Sequence, residues 1–345
     1  MPSPLNRRST SFFLMVSMKR QVSLFRNLFS HPEVTISAVA IICAVAFSSF
    51  FPNFHTALSA QVIFTVAATY AIVGVGESML LISGELDLSV GTVFALAPFL
   101  MNSFYVLGIP ILIAFLISLL LMAVVGFANG YVTAKVGVPA LITTLGMFFL
   151  IRGLTLIVSN FHLITLPEIE PFRTLVGSGV IFGIVPIPMI WAVGATVVVA
   201  LLLQRTRHGL WTVATGSNPT GAAEVGVNTV RTKIYNFVLT AVLAGLAGII
   251  QAMRIGSAEP VQGGFALTLG SIAASAVGGT SMLGGSGTIV GTLIGSLLFG
   301  IFRDGLIIGG ASEIIYEMAM GIAVVLSVSL NALLVGRRAR SGTHI

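Results

Sequence analysis

The chain has 345 residues, 56% of them hydrophobic and only 8% charged, and its 17 Lys and Arg against 11 Asp and Glu give a net charge of +6. A soluble chain of this length carries about a quarter charged residues, so a water-soluble globular protein is excluded. A single cysteine, Cys43, excludes an intrachain disulfide framework and a thiolate metal site.

In chain order, residues 1–33 read as a basic cytoplasmic tail lying against anionic lipid; the apolar run Phe12–Ser17 is too short for a secretory signal, and Lys19, Arg20 and Arg26 follow it. Ten apolar stretches then follow, at about 34–51, 61–82, 88–107, 111–134, 138–159, 180–203, 234–255, 266–283, 286–308 and 314–335. A helix rises about 1.5 Å per residue and a bilayer core is about 30 Å thick, so each stretch is long enough to span. The predicted fold is an all-α polytopic membrane protein of about ten transmembrane helices. Of the Lys and Arg residues, only Arg152, Arg173, Arg254 and Arg303 fall outside the segments that an N-inside arrangement places in the cytoplasm. Basic residues gather on the cytoplasmic side, so both termini, including the tail 336–345, are oriented inward and no nucleic-acid partner is expected.

Two connections are long. Residues 160–179 fall outside, and residues 204–233 form a polar stretch inside that is either a plain connector or a functional loop. Within it, Asn218 is a good helix N-cap, Pro219 suits the first helical position, and Gly226 can stop the helix in the left-handed conformation. A bounded helix under two turns long is marginal in water alone and makes sense in a groove supplied by another protein. The tight acidic break Ser83-Gly84-Glu85-Leu86-Asp87-Leu88-Ser89-Val90-Gly91 has a counterpart at Gly256-Ser257-Ala258-Glu259-Pro260 on the opposite side, the pattern of an inverted-topology repeat.

Single residues carry competing roles. Asp87 and Ser89 open the third span, where an Asp caps a helix and complements its dipole; alternatively Glu85 and Asp87 help to form an inner gate. Glu77 and Arg152 bear the cost of charge in low dielectric. Glu77 lies near the inner interface and is expected to pack or snorkel, whereas Arg152 either binds ligand, bonds carbonyls between helices, or snorkels outward. Arg254, Glu259, Arg303, Asp304, Glu313 and Glu317 would line the external face, as a docking surface or as solvated loop ends. The run Gly278–Gly287 lacks the Gly-Lys-Ser/Thr ending of a phosphate loop and reads as a tight inner turn. The five histidines are scattered, without metal-ligand spacing, so no metal or catalytic residue is expected.

The loop around Asn218, Pro219, Ala222, Ala223, Glu224 and Gly226 resembles the coupling helix of ATP-binding-cassette permeases. Gly84, Glu85, Asp87, Ser89 and Gly91 fall in a stretch that resembles the Gly-Gly-Ile-Asp-Leu-Ser-Val-Gly signature of the ribose-type monosaccharide permease family. Thr144-Leu145-Gly146, Arg152-Gly153-Leu154, Leu246-Ala247-Gly248-Ile249-Ile250, Val277-Gly278-Gly279-Thr280-Ser281 and Gly291-Thr292-Leu293-Ile294-Gly295 extend the likeness over about 35–335. Glu85 stands where the family commonly has glycine, which implies that Glu85→Gly is tolerated. The resemblance implies a permease subunit in a bacterial inner membrane, without cofactor or enzymatic site of its own. It also implies three partners: a cytosolic ATPase that binds the ATP, a periplasmic binding protein, and a second permease copy or paralogue. It makes 34–335 the permease domain and 204–233 its coupling loop. A neutral, hydroxyl-rich solute calls for amide and hydroxyl side chains, so Asn102, Thr144, Asn236 and Gln251, with Arg152, are the pathway candidates. A carrier driven by an ion gradient is the alternative, with Glu77 and Arg152 as its only midplane candidates; a lipid-modifying enzyme would want an interfacial His/Asp/Glu cluster that the sequence does not offer.

Overall fold

A computed structural model describes residues 32–322 and 325. Of the expected tails 1–33 and 336–345, residues 1–31 and 336–345 lie outside the described residues, as does the tenth span beyond 322 apart from residue 325, and residues 32 and 33 already belong to the first helix.

The architecture is a helical bundle. Its helices are α1 (Pro32–Phe50), α2 (Ala57–Ile82), α3 (Val90–Val106), α4 (Ile111–Gly130), α5 (Ala140–Val158), α6 (Ile187–Arg205), α7 (Arg207–Ser217), α8 (Pro219–Glu224), α9 (Thr229–Ile255), α10 (Gly264–Val277) and α11 (Ile289–Ile308). A further helix, α12, runs over 313–322. Among the described residues, seven helices are long and apolar enough to cross a membrane; α3 and α10 are shorter. The 14 residues of α10 rise only about 21 Å, less than a bilayer core.

The long helices α2 and α9 form the centre, and local chemistry fixes their starts. The Thr56 hydroxyl accepts from the Ser59 N–H, and the Asn228 side chain accepts from the Arg231 N–H. Both run four or five residues longer at the start than the apolar pattern alone indicates. The two are antiparallel: a Cβ on Gly76 would lie 2.9 Å from the Thr240 Cα, and the Asn236 amide donates to the Met79 carbonyl three residues along. Each ends at a glycine with φ of +84° (Gly84 and Gly256) and each is followed by a break and a short helix. The two breaks therefore lie at opposite ends of one antiparallel pair, which is the inverted arrangement expected from sequence.

Around this pair, α4 and α3 pack on α9, α11, α6 and α10 pack on α2, α1 packs on α11, and α5 leans chiefly on α3. Small residues permit the closest approaches, as expected where packing rather than water drives helix association. A Cβ on Gly248 would lie 2.0 Å from the Phe94 carbonyl oxygen, and one on Gly91 would lie 2.0 Å from that of Gly264.

The stretch 204–233, expected to hold one short helix, holds α7, α8 and the start of α9. Two span boundaries are corrected. The sixth span begins at Ile187 rather than 180, since Val180–Ile181 and Val185–Pro186 pair as a small antiparallel hairpin. The eighth span stops at Val277 rather than 283, because the apolar run there continues into a glycine-rich turn. A second two-stranded pair joins Ile164–Thr165 to Ser257–Ala258, tying the long loop 160–179 to the second break.

Candidate functional site

One candidate site is built on α8. The Asn218 side chain accepts from the Gly221 N–H at 3.0 Å, and Pro219 occupies the first helical position. At the other end, Gly226 (φ +87°) donates to the Ala223 carbonyl and Val227 to that of Ala222, both at 3.0 Å, closing a Schellman motif. Ala222 is buried against the body, while Pro219, Ala223, Glu224 and Gly226 are exposed. The helix thus has one anchored side and one free side.

A single residue, Asn218, joins α8 to α7, and the end of α7 is locked into the bundle. Gly216 lies where a Cβ would stand 1.8 Å from the Ile82 carbonyl oxygen and 2.7 Å from the Gly285 nitrogen. The Gly285 N–H itself donates to the Ile82 carbonyl at 2.9 Å. Three backbones therefore meet here: the end of α2, the end of α7 and the turn 281–287. Beside them the Glu85 carboxylate takes a 2.6 Å ion pair from Lys233, near the start of α9, and both side chains are mostly buried. The acidic break, the α7–α8 unit and the central helix pair are thereby mechanically joined.

Asp87 and Ser89 sit deeper. Asp87 Oδ1 accepts from the Ser89 N–H at 2.7 Å and from its hydroxyl at 2.6 Å, and Oδ2 accepts from the Asn129 amide of α4 at 3.1 Å. Asp87 thus makes an Asx-type turn before α3 rather than capping its first turn. Glu77 neither snorkels nor faces lipid. It is fully buried, with Oε2 3.4 Å from the Asp87 nitrogen. Gly91 donates to the Thr268 hydroxyl at 3.1 Å, so the signature stretch ends on α10.

Two cavities open at the far end of α9 from α8. The larger, about 350 Å³, lies between α2, α9, α10 and α11 and is lined in part by Thr65, Tyr70, Gln251, Arg254, Gln262 and Arg303. The smaller, about 110 Å³, is lined by Thr92, Phe148, Arg152, Gln262 and Phe265, among others. Among the sequence-based pathway candidates, Gln251 and Arg152 line these cavities. Asn102, Thr144 and Asn236 lie outside both. The Thr144 hydroxyl bonds its own helix at Ala140, and buried Asn236 cross-links α9 to Met79 and Thr212 while its carbonyl meets His208. The charged group expected on the external face is also divided. Arg303 forms a two-pronged pair with Glu313 at 3.0 Å, whereas Asp304 is buried and receives the Ser59 hydroxyl.

Sequence reading missed Lys233, Asn129, Gly216 and Gln262. The first two act through partners far along the chain, and no local signal marks them. Gly216 and Gln262 carried a faint one, standing beside the capped segment and two residues after the second break.

Long antiparallel membrane helices, each followed by a break and a shorter helix, with cavities at one end of the pair, have the form of a membrane transport protein. The chain belongs to the family described as branched-chain amino acid transport system, permease component, which matches residues 59–328. It is 36% identical to the xylose/arabinose import permease protein XylH of Sulfolobus acidocaldarius, over 88% of this chain and 86% of that one. It is 34% identical to the ribose import permease protein RbsC of Escherichia coli (85% and 91%), and 29% identical to the fructose import permease protein FrcC of Rhizobium meliloti (88% and 86%).

Proposed function

We propose that this chain is the membrane-spanning subunit of an ATP-driven importer of a monosaccharide or similar small polyhydroxylated solute. A separate cytosolic ATPase grips α8, and a periplasmic binding protein delivers solute to the opposite face. The observation that carries the reading is α8 itself: six residues, capped at both ends, anchored through Ala222 and fixed by one residue to a three-backbone junction. A helix this short gains nothing from isolation, and its exposed Ala223–Gly226 edge suits a groove on another protein. The sugar-import names of the relatives support the solute class.

In this reading the protein lies in a bacterial inner membrane with both termini cytoplasmic. Residues 34–335 make the permease body, 204–233 its coupling segment, and 1–33 and 336–345 its tails. The chain holds no nucleotide; ATP binds the partner. A second permease copy or paralogue completes the pathway. ATP binding draws the ATPase domains together and moves α8. Gly216 and the Glu85–Lys233 pair pass that motion to the end of α2 and the start of α9. The bundle then switches the side on which its cavities open.

Replacing Ala223 with Trp tests this. The side chain is exposed, so membrane insertion and folding are expected to persist while ATPase binding and uptake are lost. Full uptake with Ala223→Trp and with Gly226→Val would overturn the coupling role.

A further inference from the structure

We infer that Gln262 is a solute-contacting, specificity-determining residue, placed on the partition between the two cavities; this rests on the proposed transport of a neutral polyhydroxylated solute. Gln262 borders both the 350 Å³ and the 110 Å³ space. Its side-chain amide is partly buried and makes no hydrogen bond among the described residues. The groups around it also have unused capacity. Arg254 donates only through Nε, to Gln251 Oε1 at 3.2 Å, which leaves both terminal guanidinium nitrogens and the Gln251 amide N–H groups unpaired among the described residues. Arg152 likewise makes no hydrogen bond there. These groups are not sealed off in the bundle, so a solute that enters the cavities meets unused donors and acceptors.

The segment that presents Gln262 is held firmly. Ala258 and Ser257 pair with Ile164 and Thr165, the Leu166 N–H donates to the Gly256 carbonyl at 2.9 Å, and the Gln262 N–H donates to the Glu259 carbonyl at 3.1 Å. The next residue, Gly263, has φ of +86°, and a Cβ there would stand 2.7 Å from the Gly91 carbonyl oxygen. Gln262 is thus fixed at the partition by a backbone that other residues would not adopt, in direct register with the signature glycine of α3.

The chemistry selects the ligand class. A primary amide offers an acceptor and two donors from one planar group. A hydroxyl is both donor and acceptor, so a pair of neighbouring sugar hydroxyls satisfies an amide on both sides. In the larger space Arg254 adds donors to hydroxyl oxygens; on the other side of Gln262, in the smaller space, Arg152 adds donors and the Phe148 and Phe265 rings, stacked at 4.1 Å, supply an apolar wall for the carbon-bound hydrogens of a sugar. The larger space falls in the range of small-molecule sites, about 300–1,000 Å³.

The test uses the complete transporter, with its ATPase and binding protein, in liposomes, and reads sugar taken up per ATP hydrolysed, with D-ribose, D-xylose and D-fructose as probes. Gln262→Leu keeps the size and removes the amide. It is expected to lower that ratio by about tenfold, equivalent to about 1.4 kcal/mol, and Gln262→Glu, which keeps the acceptors, to lower it less. A merely structural role would reduce uptake and hydrolysis together and leave the ratio unchanged, which would overturn the assignment. If Gln262→Leu fails to assemble, Gln262→Cys in a Cys43→Ser background is labelled with a methanethiosulfonate reagent. Slower labelling in the presence of transported sugar supports the assignment, and a rate indifferent to sugar overturns it. A native complex that imports none of the probes with ATP would instead overturn the transport reading on which the inference rests.

Discussion

Gly216→Ala is the smallest perturbation of the junction that links α8 to the bundle. The added Cβ would lie 1.8 Å from the Ile82 carbonyl oxygen, and both obstructing groups, Ile82 and Gly285, are backbone. Ordinary contact needs about 3.5 Å, so the ends of α2 and α7 must part by more than about 1.5 Å. Overpacking of this kind costs about 1–3 kcal/mol. Displacing the Gly285-to-Ile82 hydrogen bond adds roughly 1 kcal/mol. Alanine in a helix recovers about 0.5–1 kcal/mol over glycine, so the net effect is a loss of roughly 1–3 kcal/mol by those figures. The assay pairs thermal unfolding of the purified protein with ATP-dependent uptake by the complete transporter. Melting is expected to fall by a few degrees, and uptake to fall by about tenfold or more, since the lever arm of α8 is displaced. Gly146→Ala is the matched control, because nothing lies within 4 Å of its Cβ position; it is expected to be neutral or stabilising. Gly216→Ala with native melting and native uptake would refute the reasoning.

Other perturbations probe separate contacts. Lys233→Met or Glu85→Gln strands one member of a mostly buried pair; each is expected to destabilise by about 1–3 kcal/mol, and the swap Glu85→Lys with Lys233→Glu to restore part of the loss, measured as a double-mutant cycle in melting. For the same reason Glu85→Gly is expected to be harmful, against the tolerance implied by the family pattern. Asn129→Ala removes the amide donor to Asp87 Oδ2 and is expected to cost about 1–3 kcal/mol in thermal unfolding. Gly226→Val forces a β-branched residue to a φ of +87° and is expected to loosen α8, read as weaker ATPase binding in pull-down.

What was legible in the sequence was local. Asn218, Pro219 and Gly226 act within a few residues of themselves, so α8 was bounded correctly, as was the apolar length of the long helices. α7 was hidden because Arg207–Ser217 contains two glycines and little apolar character, although the Thr206 cap holds it as a helix. The ends of the sixth and eighth spans were hidden for the opposite reason. Apolar Val180, Ile181 and Val185 are strand residues in a hairpin, and the run after Val277 is a turn despite its hydropathy. Long-range partners left no trace: Lys233 lies 148 positions from Glu85, and Asn129 lies 42 from Asp87. Thr144 and Asn236 were chosen as pathway residues for their chemistry, yet the same polarity is used to join backbone and side chains within the bundle.

The decisive measurement is solute accumulation in liposomes that contain this chain, with its ATPase and binding protein added or withheld. The account requires uptake against a gradient only when both partners and internal ATP are present. Concentrative uptake by the isolated chain under a proton or sodium gradient would contradict it.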